Sequence, residues 1–403
     1  MWLLFRNRVW LLTFFIASVP LHAEQRKYVV GTTLNLTAGA ANGLTSVIIA
    51  PNQPLFFSYG AFPTITVAST GARSLVNASY SYGFNGSKSQ QSYKQHSHEA
   101  LINFSAPLTP QWKISVGESF QETSDASTFN ALRGVTADPT SPFVFYPVAA
   151  QISSRTNVAK VLVDYRFTDR SSLALNVSHN LRTYETRTTV PSALSQALSN
   201  QQDVTGAITY QWRGSQREAW SAGYTSSYFS FKNFDNARSD EVHAGYANEI
   251  RPNLKFNLTV GLTNTKSQSA GGYFGYTTSA NLQKILQANA FTLFYTQTSG
   301  QTSGLGSVSD NRSAGLSWNH RTRTLSEFVD ISWFDTRPIL GNSFSTSGFS
   351  AAANVGMPLS RRWSLQGGGQ YQRYDSKSAF GFNQKRLFVS LRYTDPALWT
   401  FFR

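Results

Sequence analysis

Segments of about ten residues in which apolar and polar side chains alternate recur along most of this chain. From Lys255 to Thr263, Phe256, Leu258, Val260 and Leu262 share one face, and Lys255, Asn257, Thr259, Gly261 and Thr263 share the other. From Ser172 to Arg182, Leu173, Leu175, Val177 and Leu181 form an apolar face that only His179 interrupts, opposite Ala174, Asn176, Ser178, Asn180 and Arg182. A period of two is the signature of a strand with two different environments. Sixteen such segments run from 74–84 to 384–393. Only 14% of residues are charged and 14% are aromatic, whereas a soluble domain carries about a quarter charged residues. Past Ala23 there is no continuous apolar window of the roughly 18 residues that a spanning helix needs. Lipid on the apolar face and water on the polar face satisfy this pattern, so the expected fold is all-β: a closed antiparallel transmembrane β-barrel of about 16 strands.

The connections alternate in length, as a barrel with short periplasmic turns and longer external loops requires. Short ones are expected at Leu108-Thr109-Pro110, Thr168-Asp169-Arg170, Gly214-Ser215-Gln216, Arg251-Pro252, Gln283-Lys284-Ile285, Arg321-Thr322 and Met357 to Arg361, most of them carrying turn formers. The longest links are Thr123 to Ser154 and Glu185 to Gln202. The first of these holds Phe143, Phe145 and Tyr146 among Pro139, Pro142 and Pro147, too apolar for a loop in water, and it is expected to fold over or into the lumen. Five of the nine tryptophans, Trp112, Trp212, Trp220, Trp318 and Trp363, sit beside short turns. They make a candidate aromatic girdle at the membrane–water interface, where an indole finds both an apolar bed and a hydrogen-bond partner.

Residues 1–23 read as a signal peptide, with Arg6 and Arg8 first, an apolar run over Val9 to Val19, and a cleavage-competent small residue at Ala23. Residues 24–73 keep the strand rhythm poorly and are expected to form a periplasmic lead-in or a small lumen hatch. Brief alternation over Thr32 to Leu36 and Thr64 to Val67 leaves an eighteen-strand count open. Residues 74–403 would form the barrel and a short tail, with Asp395-Pro396 breaking the last strand near Tyr393 and the first and last strands pairing. The chain has no cysteine, which excludes disulfides and a lipidated Cys.

Leader, strand rhythm, turn–loop alternation and girdle together resemble the porin-type outer-membrane barrels of Gram-negative bacteria. The resemblance is architectural, covers about 74–393 and carries no short motif. It implies an integral outer-membrane location, lipid and lipopolysaccharide as neighbours, and folding by the barrel-assembly machinery. The chain departs from such barrels in ending on Arg403 after Phe402, not on an aromatic residue.

Enzyme chemistry finds little support. The six histidines include His96 and His98 near a loop, and two histidines alone do not make a metal site. No phosphate loop or paired-acid motif is present, so no catalytic, cofactor or metal residues are assigned. The net charge is +14, or +12 without Arg6 and Arg8. A signal peptide and dispersed charges argue against a nucleic-acid partner and for lipopolysaccharide contact or a cationic pore. Alternation sends Lys113, Lys160, Arg166, Arg182, Arg213, Arg217, Lys255, Arg362, Arg386 and Arg392 to the lumen, with the acids Glu99, Asp164, Asp203, Glu241, Glu249 and Asp330. The same rule sends Glu118 and Glu327 to lipid. Small or polar lumen residues such as Ser115, Gly117, Thr259 and Ser317 point to an open interior. The leading expectation is passive diffusion of small hydrophilic solutes with a modest anion bias. A conduit for an acidic polymer and an adhesin or scaffold barrel without a pore are the alternatives.

Overall fold

A computed structural model describes residues 26–41, 56–71, 73–88, 93–123, 153–185, 200–232, 234–267, 271–301, 308–340, 345–376 and 382–402. Residues 1–23, and therefore the signal peptide and its cleavage site, lie outside them. Eighteen strands form one sheet: β1 (Lys27–Ala41), β2 (Phe56–Thr70), β3 (Leu75–Lys88), β4 (Tyr93–Pro107), β5 (Trp112–Thr123), β6 (Ser153–Arg166), β7 (Ser171–Glu185), β8 (Gln201–Arg213), β9 (Glu218–Phe231), β10 (Ala237–Arg251), β11 (Leu254–Ser267), β12 (Gly271–Leu286), β13 (Asn289–Gln301), β14 (Val308–Arg321), β15 (Ser326–Leu340), β16 (Thr346–Pro358), β17 (Trp363–Ser376) and β18 (Phe382–Phe402). Each pairs antiparallel with its sequence neighbours, and β1 pairs with β18, from Lys27 opposite Phe402 to Ala41 opposite Arg386. The sheet is closed. No strand edge is left where hydrocarbon would meet bare N–H and C=O groups.

Three expectations need correction. The barrel has eighteen strands, not about sixteen, because 27–41 and 56–70 are wall strands and not a lead-in or hatch. Their outward faces are apolar, with Leu34 and Leu36 in β1 and Phe57, Tyr59, Ile65 and Val67 in β2, but the small run Thr37 to Ala41 and the mid-strand Pro63 blur the rhythm. Pro63 has no N–H to give, and the β2–β3 pairing skips from Ala61 to Thr64 there. The last strand does not stop at Asp395-Pro396. It continues to Phe402 across a bulge, so that Thr32 faces Asp395 while Val30 faces Trp399. A side chain at Gly31 would come within 2.9 Å of the Pro396 carbonyl oxygen, which explains the glycine opposite the bulge. The β12–β13 turn is at Gln287-Ala288, not at 283–285, with Gln287 at a φ of 38°.

The short turns share a chemistry. Thr109 Oγ1 accepts from the Gln111 and Trp112 amides, Thr168 Oγ1 from Arg170 and Ser171, and Ser360 Oγ from Arg362 and Trp363. Ser215 and Thr322 accept from Arg217 and Leu325 in the same way. A hydroxyl that satisfies two turn amides fixes the hairpin register next to the membrane. Both described chain ends lie at this end of the barrel, since Lys27 pairs with Phe402.

Candidate functional site: the barrel interior

Exposure separates the two faces of the wall. Val177, Val242, Leu262, Phe274, Leu293 and Leu387 are among the exposed apolar side chains, whereas Asn35, Ser81, Thr263, Thr277, Ser350 and Ser390 are buried. The apolar face therefore points outward and the polar face inward. Register carries this assignment around the wall. Lys113 stands opposite Asp164, Gly117 opposite Lys160, Lys160 opposite Ser178, and Asn180 opposite Asp203. Arg182 donates from Nε to Thr156 Oγ1 at 3.1 Å on the same face.

Of the sixteen charges assigned to the lumen from the sequence, those on strands share the parity of this inward face, whereas Arg217 and Arg362 lie in turns and Arg362 pairs with Asp395 at 3.1 Å; the set is unevenly spread. Lys113, Lys160, Arg166, Arg182, Arg213 and Arg217, with Asp164 and Asp203, line β5 to the start of β9. Arg362, Arg386 and Arg392 line β17 and β18 and the turn before them. The wall from β10 to β15 holds Glu241, Glu249 and Asp330 with Lys255, which faces Glu249, and Arg321, which stands opposite Ser326. Glu99 is on β4, opposite Ser81 and Gln121. Two arcs are thus cationic, and the arc between β10 and β15 is close to balanced.

Two features of the interior escaped the sequence. The first is a set of inward phenylalanines. Phe294 lies over Gly315, Phe334 over Gly348, and Phe62 over Gly83. A Cβ at Gly315 would come within 2.6 Å of the Phe294 ring. Each ring occupies the space that a side chain at the glycine would take, so the glycine makes room for the inward phenylalanine against the wall. The second is an apolar cluster of Phe229, Phe231, Ala237, Val308 and Leu340, with Phe234 and Ile339 against it. Strands β11, β12 and β13 separate β10 from β14 in the wall, so this cluster reaches inward across that arc at the long-loop end. Inward-facing Thr263 and Thr265 beneath it are buried and share hydrogen bonds with Ser239 at 3.0 and 2.9 Å. A signal was available, because Phe229 and Phe231 continue the inward phase of Ser221, Gly223, Thr225 and Ser227. Residues 124–152, expected to enter the lumen, lie outside the described residues.

The outer surface has two polar borders. At the short-turn end Trp112 packs on Tyr165 at 4.4 Å, Trp220 on Tyr246 at 4.5 Å and Trp363 on Tyr393 at 5.0 Å. Trp212 stands opposite Trp220, and Trp318 donates to Asn289 Oδ1 at 3.0 Å. Toward the loops, outward ion pairs join Arg155 to Glu122, Arg238 to Asp240, Arg312 to Asp310, Arg337 to Asp335 and Arg373 to Asp375. Glu327 lies beside the β14–β15 turn, and His96 and His98 face outward against Tyr82. Among the described residues, no three metal-ligating side chains come together.

The fold is that of a porin-type barrel. No family model matches the chain, and no curated protein matches it in sequence. Among solved structures it is similar to OccAB4 of Acinetobacter baumannii, with 12% identity over 95% of this chain and 100% of that one, and a TM-score of 0.48. OccK1 (OpdK) of Pseudomonas aeruginosa matches with 13% identity over 91% and 99%, at a TM-score of 0.48. OccK2 (OpdF) of the same organism, solved with glucuronate, matches with 11% identity over 91% and 98%, at 0.47. What passes through this barrel has to be read from its own lining.

Proposed function

We propose that the protein is an outer-membrane channel through which small hydrophilic solutes diffuse passively, anions in preference to cations. The observation that carries the reading is the polar interior of a closed eighteen-stranded wall with an apolar outer face. Barrels of sixteen to eighteen strands leave an aqueous channel. Membrane-embedded walls of this kind need no further hydrogen-bond partner, since closure satisfies every strand.

The anion preference rests on the lining. Ten basic and six acidic inward residues leave an excess of four positive charges. Low-dielectric walls focus that field along the water path and raise the local anion concentration. The outward arginine–carboxylate pairs lie where lipopolysaccharide headgroups would meet the wall, and the indole girdle lies at the periplasmic border.

Swelling of proteoliposomes tests the reading. Uptake of gluconate should exceed that of an uncharged sugar of the same size, and both should exceed the rate in protein-free vesicles. Equal swelling with and without protein would remove the channel, and faster uptake of a cationic amino sugar would reverse its selectivity.

A further inference from the structure

At the short-turn border of the outer face one asparagine holds two rings. Asn289 Oδ1 accepts from Trp318 Nε1 at 3.0 Å and is bonded to His320 Nδ1 at 2.9 Å, and the two rings stack at 6.0 Å. An indole N–H only donates, so the asparagine atom is its oxygen, and His320 carries its hydrogen on Nδ1. In the neutral ring Nε2 is then an acceptor, and it has no described partner. Directly across the β14–β15 pair stands Glu327, in the same outward phase as Val329 and Ile331. Side chains opposed in this way lie about 5 Å apart at Cβ. Two other acids of this border are engaged: Glu218 accepts from the Trp220 indole, and Asp395 pairs with Arg362. Glu327 has no hydrogen-bond or ion-pair partner among the described residues. Arg323, exposed in the turn that joins the two strands, has no ion-pair partner among them either. A hollow of about 630 Å³ opens beside the rings, bordered by Leu286, Asn289 and His320. Toward the membrane centre, exposed Phe291, Leu293, Leu316 and Ile331 form an apolar bed on the same three strands.

We propose that this place binds one phospholipid of the periplasmic leaflet, of the class whose headgroup carries a primary ammonium beside its phosphate, as phosphatidylethanolamine does. A primary ammonium has three N–H donors. Glu327 and His320 Nε2 are two acceptors side by side on one row, both lacking a donor. The phosphate that follows the ammonium is placed toward Arg323, whose guanidinium fork suits an oxyanion. The acyl chains run up the bed from Phe291 to Ile331, with Trp318 at the interface level where indoles concentrate. A carboxylate beside acyl chains is costly, and the ammonium removes that cost. Two other headgroups fit less well. An anionic one without an amine brings its phosphate to an unpaired carboxylate, and a trimethylated ammonium has the charge but no N–H to give. The inference requires the barrel to lie in a membrane, and it is independent of what the lumen conducts.

Native mass spectrometry of the purified full chain tests this. Phosphatidylethanolamine, phosphatidylcholine and phosphatidylglycerol with identical acyl chains are offered one at a time. The wild type should retain the ethanolamine lipid at least fivefold more than either of the others. Glu327→Gln should bring that retention down to the level of the choline lipid, and His320→Phe should lower it at least twofold. Glu218→Gln, at a carboxylate already taken by Trp220, should keep the wild-type preference. Equal retention of the three lipids by the wild type would overturn the site, and so would a Glu327→Gln that keeps the preference. A preference for the glycerol lipid would refute the proposal as well, because it would assign the border to anionic headgroups held by arginine alone. Single-channel conductance, read on the same wild-type preparation, reports on the pore, so failure of the lipid site and failure of the channel are told apart.

Discussion

Reversing Lys160 and Arg182 to glutamate tests the cationic lining with a magnitude set by the charge count. Both side chains are inward on adjacent strands, Lys160 opposite Gly117 and Arg182 bonded to Thr156. In the wild type the ten basic and six acidic inward residues leave four positive charges. The double reversal leaves eight of each and abolishes the excess. A unit charge acts on an ion 10 Å away with about 0.4 kcal/mol in water. Screening over one Debye length at 0.1 M reduces this to about 0.15 kcal/mol. Four such charges amount to roughly 0.6 kcal/mol, close to RT, which enriches anions about threefold and depletes cations about as much. The wild-type reversal potential in a tenfold KCl gradient should therefore report chloride permeability several-fold above potassium, and the double variant a ratio near one. Raising the salt tenfold should shrink the wild-type preference, because the Debye length falls to about 3 Å at 1 M. A cation-selective wild type, or a double variant with unchanged reversal potential, would refute the electrostatic reasoning.

Three further outcomes are expected. Replacing Phe229 and Phe231 with alanine should open the apolar cluster, raise single-channel conductance and leave selectivity near that of the wild type; unchanged conductance would mean that the cluster does not narrow the path. Gly39→Val places a Cβ against the Leu387 carbonyl oxygen at the β1–β18 seam. It should cost about 1–3 kcal/mol as an overpacked site does, seen as a lower temperature for loss of the compact gel band. Deleting 135–150 should raise conductance if that apolar loop constricts the lumen, and equal conductance would place it elsewhere.

The strand rhythm was legible wherever the outward face was strongly apolar. Lys255 to Thr263 and Ser172 to Arg182 alternate cleanly because lipid demands apolar groups on one side and water tolerates almost anything on the other. The two missed strands lie at the seam; Leu34, Leu36, Phe57, Tyr59, Ile65 and Val67 do face outward, but the small run Thr37 to Ala41 and Pro63 interrupt the alternation. Seam strands are recognised by the partner they close on, Lys27 on Phe402 for example, and that pairing spans nearly the whole chain. A Pro that ends most strands reads as a stop at 396, because a bulge opposite Gly31 leaves no local mark beyond the glycine itself. Parity supplies candidate lumen charges from the sequence, since a slip of one residue would turn a whole strand inside out, but it passed over Arg321, at the end of β14 in the same phase as Ser317. Their grouping into cationic arcs was not legible, because it depends on which strands neighbour one another around the closed wall. The phenylalanines over glycine and the Phe229–Leu340 cluster depend likewise on cross-strand register.

The central claim is an open water path through the barrel, and single-channel recording of the purified protein in a planar bilayer tests it most directly. Discrete, ohmic current steps that scale with KCl concentration and vanish with a polymer wide enough to be excluded from the lumen are the expected result. A protein that is folded and inserted yet carries no current, at any salt concentration, would contradict it.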